Sequence, residues 1–262
     1  NKILTTLHEP AQYIGWFSLF FIAFVVPYLL HASFEKKHFF RNKQFATLLI
    51  IAPALFAWKI SSNLHFNFSE NQTQNNYWNQ VAYWPFKLAI ISTVLILIWK
   101  MLEKEQPLYG WTLKDFSSRP YFIMLLIMVP LIAAASTQPD FLTVYPKLKN
   151  MYSPGDTGSS FYKILYELSY GSDFISIEFF FRGFLVLAFM KWVGEDAILP
   201  MAVFYCTIHF GKPIGECISS FFGGLLLGII TFNTRSIIGG LIVHLGIAWL
   251  MELGGYIGNI YK

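Results

Sequence analysis

Long apolar runs separated by short polar stretches dominate the chain, and they show no period-2 alternation. Crossing a bilayer as a helix takes about 20 mostly apolar residues. In lipid, backbone hydrogen bonds close only within helices or closed barrels, and runs of this length without alternation predict helices. Eight candidate spans follow, at roughly 12–32, 45–60, 85–102, 120–136, 161–192, 197–210, 213–232 and 236–254. The fifth is long enough to project beyond a bilayer or to break near Gly171, and the sixth is short, as a tilted or partly re-entrant helix would be. The predicted fold is all-α: a polytopic membrane helix bundle of about eight transmembrane helices, read as one integral membrane domain over residues 1–262.

Composition narrows the class further. Hydrophobic residues make up 55% and charged residues 13%, about half the charge a water-facing surface carries. That excludes a soluble enzyme. Cys206 and Cys217 form neither a disulfide framework nor a metal-knuckle spacing. The net charge of +4 reads as positive-inside bias rather than nucleic-acid affinity. Lys36, Lys37, Arg41 and Lys43 crowd the first loop, and Lys104, Lys114 and Arg119 occupy the third. The second loop, Ser61–Trp84, has no Lys or Arg and is rich in Asn and Gln. The first and third loops are therefore expected in the cytoplasm and both termini outside, with Lys147 and Lys149 in the fourth loop pulling the other way. The first apolar run exceeds a signal-peptide core and leads into a basic loop, so it is expected to be a retained span. No repeat of 20–50 residues and no phosphate-binding glycine loop is present. The expected location is a bacterial inner membrane.

Ionisable groups inside spans are expensive and point to function by default. The first four spans have almost none away from their ends, whereas the C-terminal half holds Asp173, Glu178, Arg182, His209, Glu216, His244 and Glu252. Glu178 and Arg182, in SIEFFFRGF, stand i,i+4 on one helix face. They form either an ion pair that makes two buried charges tolerable or a carboxylate oriented for chemistry. Asp173 fits a site where a helix meets water. His209 ends an apolar run before Gly211 and Pro213, which mark a tight turn, and Glu216 falls in the first turn of the next helix, where the macrodipole favours an acid. Ser220, Gly224 and Gly228 form a small-residue stripe for close helix packing.

A carboxylate and imidazoles in a dry cavity can activate water as general base and stabilise an oxyanion. Alternatively, two His and one or two Glu can ligate zinc, with His209, His244, Glu178 and Glu216 as the candidate ligands. No HExxH is present to decide between them.

Three segments over about residues 160–254 together resemble the CPBP family of CAAX-protease and bacteriocin-processing membrane proteins, also called Abi. Its EExxxR motif, usually followed by Gly, is matched by IEFFFRG with Glu178, Arg182 and Gly183; its FxxxH by Tyr205–His209; its HxxxN at His244 only. The resemblance implies a multi-helix intramembrane endopeptidase acting on a membrane-embedded or lipidated protein, without nucleic acid and without a cofactor, zinc being the alternative. It assigns the first-motif glutamate and second-motif histidine to water activation, and the third-motif histidine and asparagine to the oxyanion. Two positions depart from the pattern: Ile177 stands for the first glutamate and Ala248 for the asparagine. Glu178 is then the candidate base or ligand, Arg182 its orienting partner, His209 the assistant in water activation and His244 the oxyanion or metal group. Glu216 is a possible compensating carboxylate. The competing expectation is a non-catalytic membrane protein on the same fold, such as an immunity factor or a subunit of a larger membrane complex.

Overall fold

The computed structural model describes residues 2–35, 38–104, 107–114, 116–150 and 160–261. Lys36 and Lys37 of the basic first loop lie outside the described residues. The protein is all-α among the described residues. Its main helices are α1 (Ala11–Glu35), α2 (Lys43–Ser61), α3 (Gln72–Leu102), α4 (Arg119–Ala135), α5 (Ser160–Glu178), α6 (Ile198–Thr207), α7 (Ile214–Thr234) and α8 (Ile238–Ile260). Shorter helices at Lys2–Thr5, Pro139–Val144 and Met190–Val193 join them. Five helices, α1, α2, α3, α7 and α8, are long and apolar enough to cross a membrane, and α4 is a shorter apolar helix. This is a helical membrane protein, and each of the eight predicted spans falls on a helix.

Three boundaries differ from the sequence reading. First, α3 begins at Gln72, so much of the polar second loop is helical. The Asn71 side chain accepts from the backbone N–H groups of Thr73 and Gln74, satisfying donors that the first turn leaves open. Second, the fifth span does not break at Gly171. A Cβ there would lie 3.2 Å from both Leu245 Cδ1 and Trp249 Cζ2, so the glycine serves close packing rather than a bend. The break comes at Phe179, where the α-helix gives way to a π-helix over Phe179–Ala188. Third, α6 is only 10 residues long and ends at Thr207, leaving His209 in the turn beyond it.

The chain forms two compact units. The first comprises residues 1–63, 91–114 and 178–238, and the second residues 64–90, 115–177 and 239–262. The first unit has an aromatic core. Phe20 packs on Phe204 at 4.9 Å between ring centroids, Phe56 on Phe180 and on Phe181 at 4.9 Å each, and Phe181 on Phe204 at 5.2 Å. These separations lie in the range where tilted and edge-to-face aromatic pairs are favourable. They tie α1, α2 and α6 to the π-helix. In the second unit Trp84 packs against Tyr166 and Tyr170 at 5.3 Å each, and the Tyr77 hydroxyl donates to the Tyr162 carbonyl at 2.6 Å. Ile132, Phe141, Leu142 and Tyr145 form a second cluster there.

Candidate active site

The EFFFRGF segment is folded as the end of α5 and the start of the π-helix, and all ten π-helical residues are buried. π-Helices are rare, and they occur frequently at functional sites. Gly183 explains the glycine of the motif: a Cβ there would lie 2.7 Å from the Tyr109 backbone oxygen. The loop at Tyr109–Thr112 thus presses on the π-helix, with Gly110 at φ +80° where side chains are strained. The same loop is pinned from the other side, because Ile237 N–H donates to the Gly110 carbonyl at 3.0 Å and Ser236 Oγ to the Thr112 carbonyl at 2.6 Å. Tyr109 is wholly buried, and burial first, then the charge of Glu103, holds its hydroxyl well above the usual phenol range.

Within this frame Glu178 and Arg182 are both sealed from solvent, at 0% exposure, and their Oε1 and Nη1 are 3.0 Å apart. Two bare charges would be very costly there, so each compensates the other. The guanidinium also lies over the Tyr205 ring, 4.2 Å from its centroid, a cation–π contact that is strongest when desolvated. Nε and Nη1 of Arg182 meet no acceptor in hydrogen-bonding geometry among the described residues.

Tyr205 carries the connection onward. Its ring stands 4.8 Å from the His209 ring, and its backbone carbonyl lies 3.2 Å from His209 Nδ1. A carbonyl only accepts, so a hydrogen bond here places a proton on Nδ1, and in the neutral imidazole the lone pair is then on Nε2. His209 is 8% exposed. The small-residue stripe of α7 sets α6 in place: a Cβ on Gly224 would meet Tyr205 Cδ1 at 3.2 Å, and one on Gly228 would meet Met201 Cε at 2.6 Å. The predicted turn is present, with Gly211 at φ +90° and Pro213 immediately before the first residue of α7.

Glu216 lies in the first turn of α7 and is bonded by Lys212 Nζ at 2.6 Å. Glu178, Arg182, His209 and Glu216 belong to one unit. His244 belongs to the other, where its ring meets Phe174 edge to face at 4.8 Å. Ile177 and Ala248, at the two departures from the motif, are buried at 9% and 4% exposure.

Glu178, His209 and Glu216 do not form a three-ligand group close enough to share an ion among the described residues, and their carboxylates face Arg182 and Lys212 instead.

Two features escaped the sequence reading. One is the π-helix, for which no simple sequence signal exists. The other is Lys87, 1% exposed, whose Nζ donates to the Tyr83 hydroxyl at 2.6 Å and lies over that ring. A span starting at 85 puts Lys87 at its end, whereas the helix starts at Gln72 and places it mid-helix.

A family comparison bears on this arrangement. The family model for type II CAAX prenyl endopeptidase Rce1-like proteins matches residues 172–250. Over residues 172–250 the chain is similar to Rce1-like proteins, which is consistent with the CPBP resemblance of its motifs. That Rce1-like region contains Glu178, Arg182, His209, Glu216 and His244, so it covers every candidate residue of the site. Nothing among curated proteins or solved structures matches the chain.

Proposed function

We propose that this protein is an intramembrane endopeptidase of CAAX-protease type, hydrolysing a peptide bond in a membrane-embedded or lipidated protein of a bacterial inner membrane. The supporting observation is the dry, unbroken series Glu178–Arg182–Tyr205–His209 inside the Rce1-like region. In this reading Arg182 fixes the Glu178 carboxylate, and Glu178 and His209 Nε2 take the proton of a water as its oxygen attacks the scissile carbonyl carbon. The C–N bond then breaks, the proton passes to the leaving amine, and a new carboxylate remains. The open donors of Arg182 are suited to a water or a substrate oxygen. His244 enters through the third-motif resemblance alone, as a donor to the oxyanion. No resident metal is used, and no nucleic acid takes part.

The test is cleavage of a farnesylated CAAX peptide by the purified chain in lipid nanodiscs. Cleavage by the natural chain that disappears in Glu178→Gln and His209→Ala supports the reading. Undiminished cleavage by Glu178→Gln removes Glu178 as base and moves attention to Glu216.

A second reading, a non-catalytic protein on this fold acting as an immunity factor or complex subunit, is favoured by one observation. Ile177 and Ala248 put apolar side chains where the family motif has Glu and Asn. Inactivity of the natural chain on peptides of several lipid types, together with co-purification of a stable membrane partner, would favour it.

A further inference from the structure

The structure points to a divalent transition-metal site, separate from the proposed peptidase site, formed by His31 and Glu35 at the end of α1 and by Asp196 from the turn before α6. We propose that these three side chains bind one zinc-class cation. One ligand atom from each lies within 4.8 Å of the others. His31 Nε2 is 3.1 Å from Asp196 Oδ2, close to the roughly 3.4 Å edge expected of a tetrahedron with zinc–ligand bonds of about 2.1 Å. Glu35 stands one helical turn along, with Oε1 3.7 Å from the ring's other nitrogen, Nδ1, a distance that is not an edge of the same coordination shell.

Charge and chemistry agree on the ion. With a neutral imidazole the three side chains carry two formal negative charges, which suits a divalent cation. One imidazole and two carboxylates suit zinc and its first-row neighbours better than the all-oxygen sets preferred by calcium and magnesium. His31 is half-buried, Glu35 exposed and Asp196 intermediate, so an ion has a route from solvent.

A second observation points into the same place. Tyr28, one helical turn before His31, is fully buried, and its hydroxyl has no hydrogen-bond partner among the described residues. Phe39 packs against both rings, with centroids 6.0 Å from Tyr28 and 6.0 Å from His31, which steers the two side chains to one side of α1. Tyr28 thus brings an open donor to the side of α1 that carries His31, and outer-shell donors of this kind orient ligands at zinc centres. Bound metal would fasten the end of α1 to the chain between the π-helix and α6.

The test uses the full chain, stripped of metal, in detergent, with Zn2+ in equilibrium dialysis and the melting temperature recorded with and without Zn2+. Expected are one Zn2+ per chain and a raised melting temperature. Binding should be lost in Asp196→Asn and His31→Ala and weakened about tenfold in Tyr28→Phe, while persisting in His209→Ala. Glu35→Gln changes only an exposed group, keeps the fold, and should also weaken binding. Absence of binding by the natural chain overturns the proposal. So does full binding by Asp196→Asn and Glu35→Gln, or loss of binding in His209→Ala alone, which would move the ion to the peptidase site.

Discussion

A guanidinium removed from water needs its charge balanced. Arg182 has Glu178 at 3.0 Å and the Tyr205 ring at 4.2 Å to do this. Substituting Arg182→Leu strands the Glu178 carboxylate, a change that typically destabilises by about 3–5 kcal/mol. A clear fall in the melting temperature of the purified protein is the expected result. Glu178→Gln keeps shape and much of the hydrogen bonding but leaves the Arg182 charge unbalanced, so that variant should also melt below the natural protein, while losing peptidase activity. Tyr205→Phe keeps the ring under Arg182 and restores the usual aromatic of the second motif. It should retain most activity, whereas Tyr205→Leu removes the stack and should lose it. The residues of this series were legible in the sequence because lipid makes every charge conspicuous. Their linkage was not, since nothing in the pattern says that Tyr205 rather than solvent faces the guanidinium. Lys87 was hidden for a different reason: a polar helix start such as Gln72–Asn76 has the composition of a loop, and only the Asn71 cap shows where the helix begins.

At the scale of elements, two close approaches hold the site. A methyl at Gly183 would collide with the Tyr109 backbone oxygen, which cannot move aside as a side chain can. Gly183→Ala should therefore destabilise by roughly 1–3 kcal/mol, the usual range for overpacking, and reduce activity through displacement of Arg182. Gly228→Ala meets the flexible end of Met201 and also Ile198 Cγ2 at 2.9 Å, so a smaller loss is expected. Comparing the two melting temperatures checks the order. The stripe Ser220, Gly224 and Gly228 was legible as a packing face, and its partner helix α6 follows from chain proximity. The end of α6 was not, because Ile208 and Phe210 on either side of His209 remain apolar while the backbone has already turned.

For the whole molecule, the eight apolar runs were sufficient to locate every main helix, because a membrane leaves the backbone little choice of structure. Side assignment depends on charge alone. The basic first loop and uncharged second loop predict that α2 crosses with its N-terminal end in the cytoplasm. Single cysteines at His38 and Asn63, both exposed and flanking α2, test this in a background with Cys206 and Cys217 replaced. A membrane-impermeant thiol reagent applied to intact cells should label the Asn63→Cys variant and spare His38→Cys. The division into two compact units had no counterpart in the sequence, since both are assembled from separated stretches of equally apolar chain.

The π-helix changes how substitutions through this stretch are to be designed. A π turn holds roughly one residue more than an α turn, so over ten residues the arithmetic of helical wheels drifts by about two positions. Positions chosen at α-helical intervals from Glu178 to sample a single face would instead wander around the axis. Nor would a lipid-facing stripe emerge from a scan, because each of Phe179–Ala188 is enclosed by protein. Replacing these residues one at a time with aspartate should give uniform failure of expression across 179–188, with no rhythm of tolerated sites.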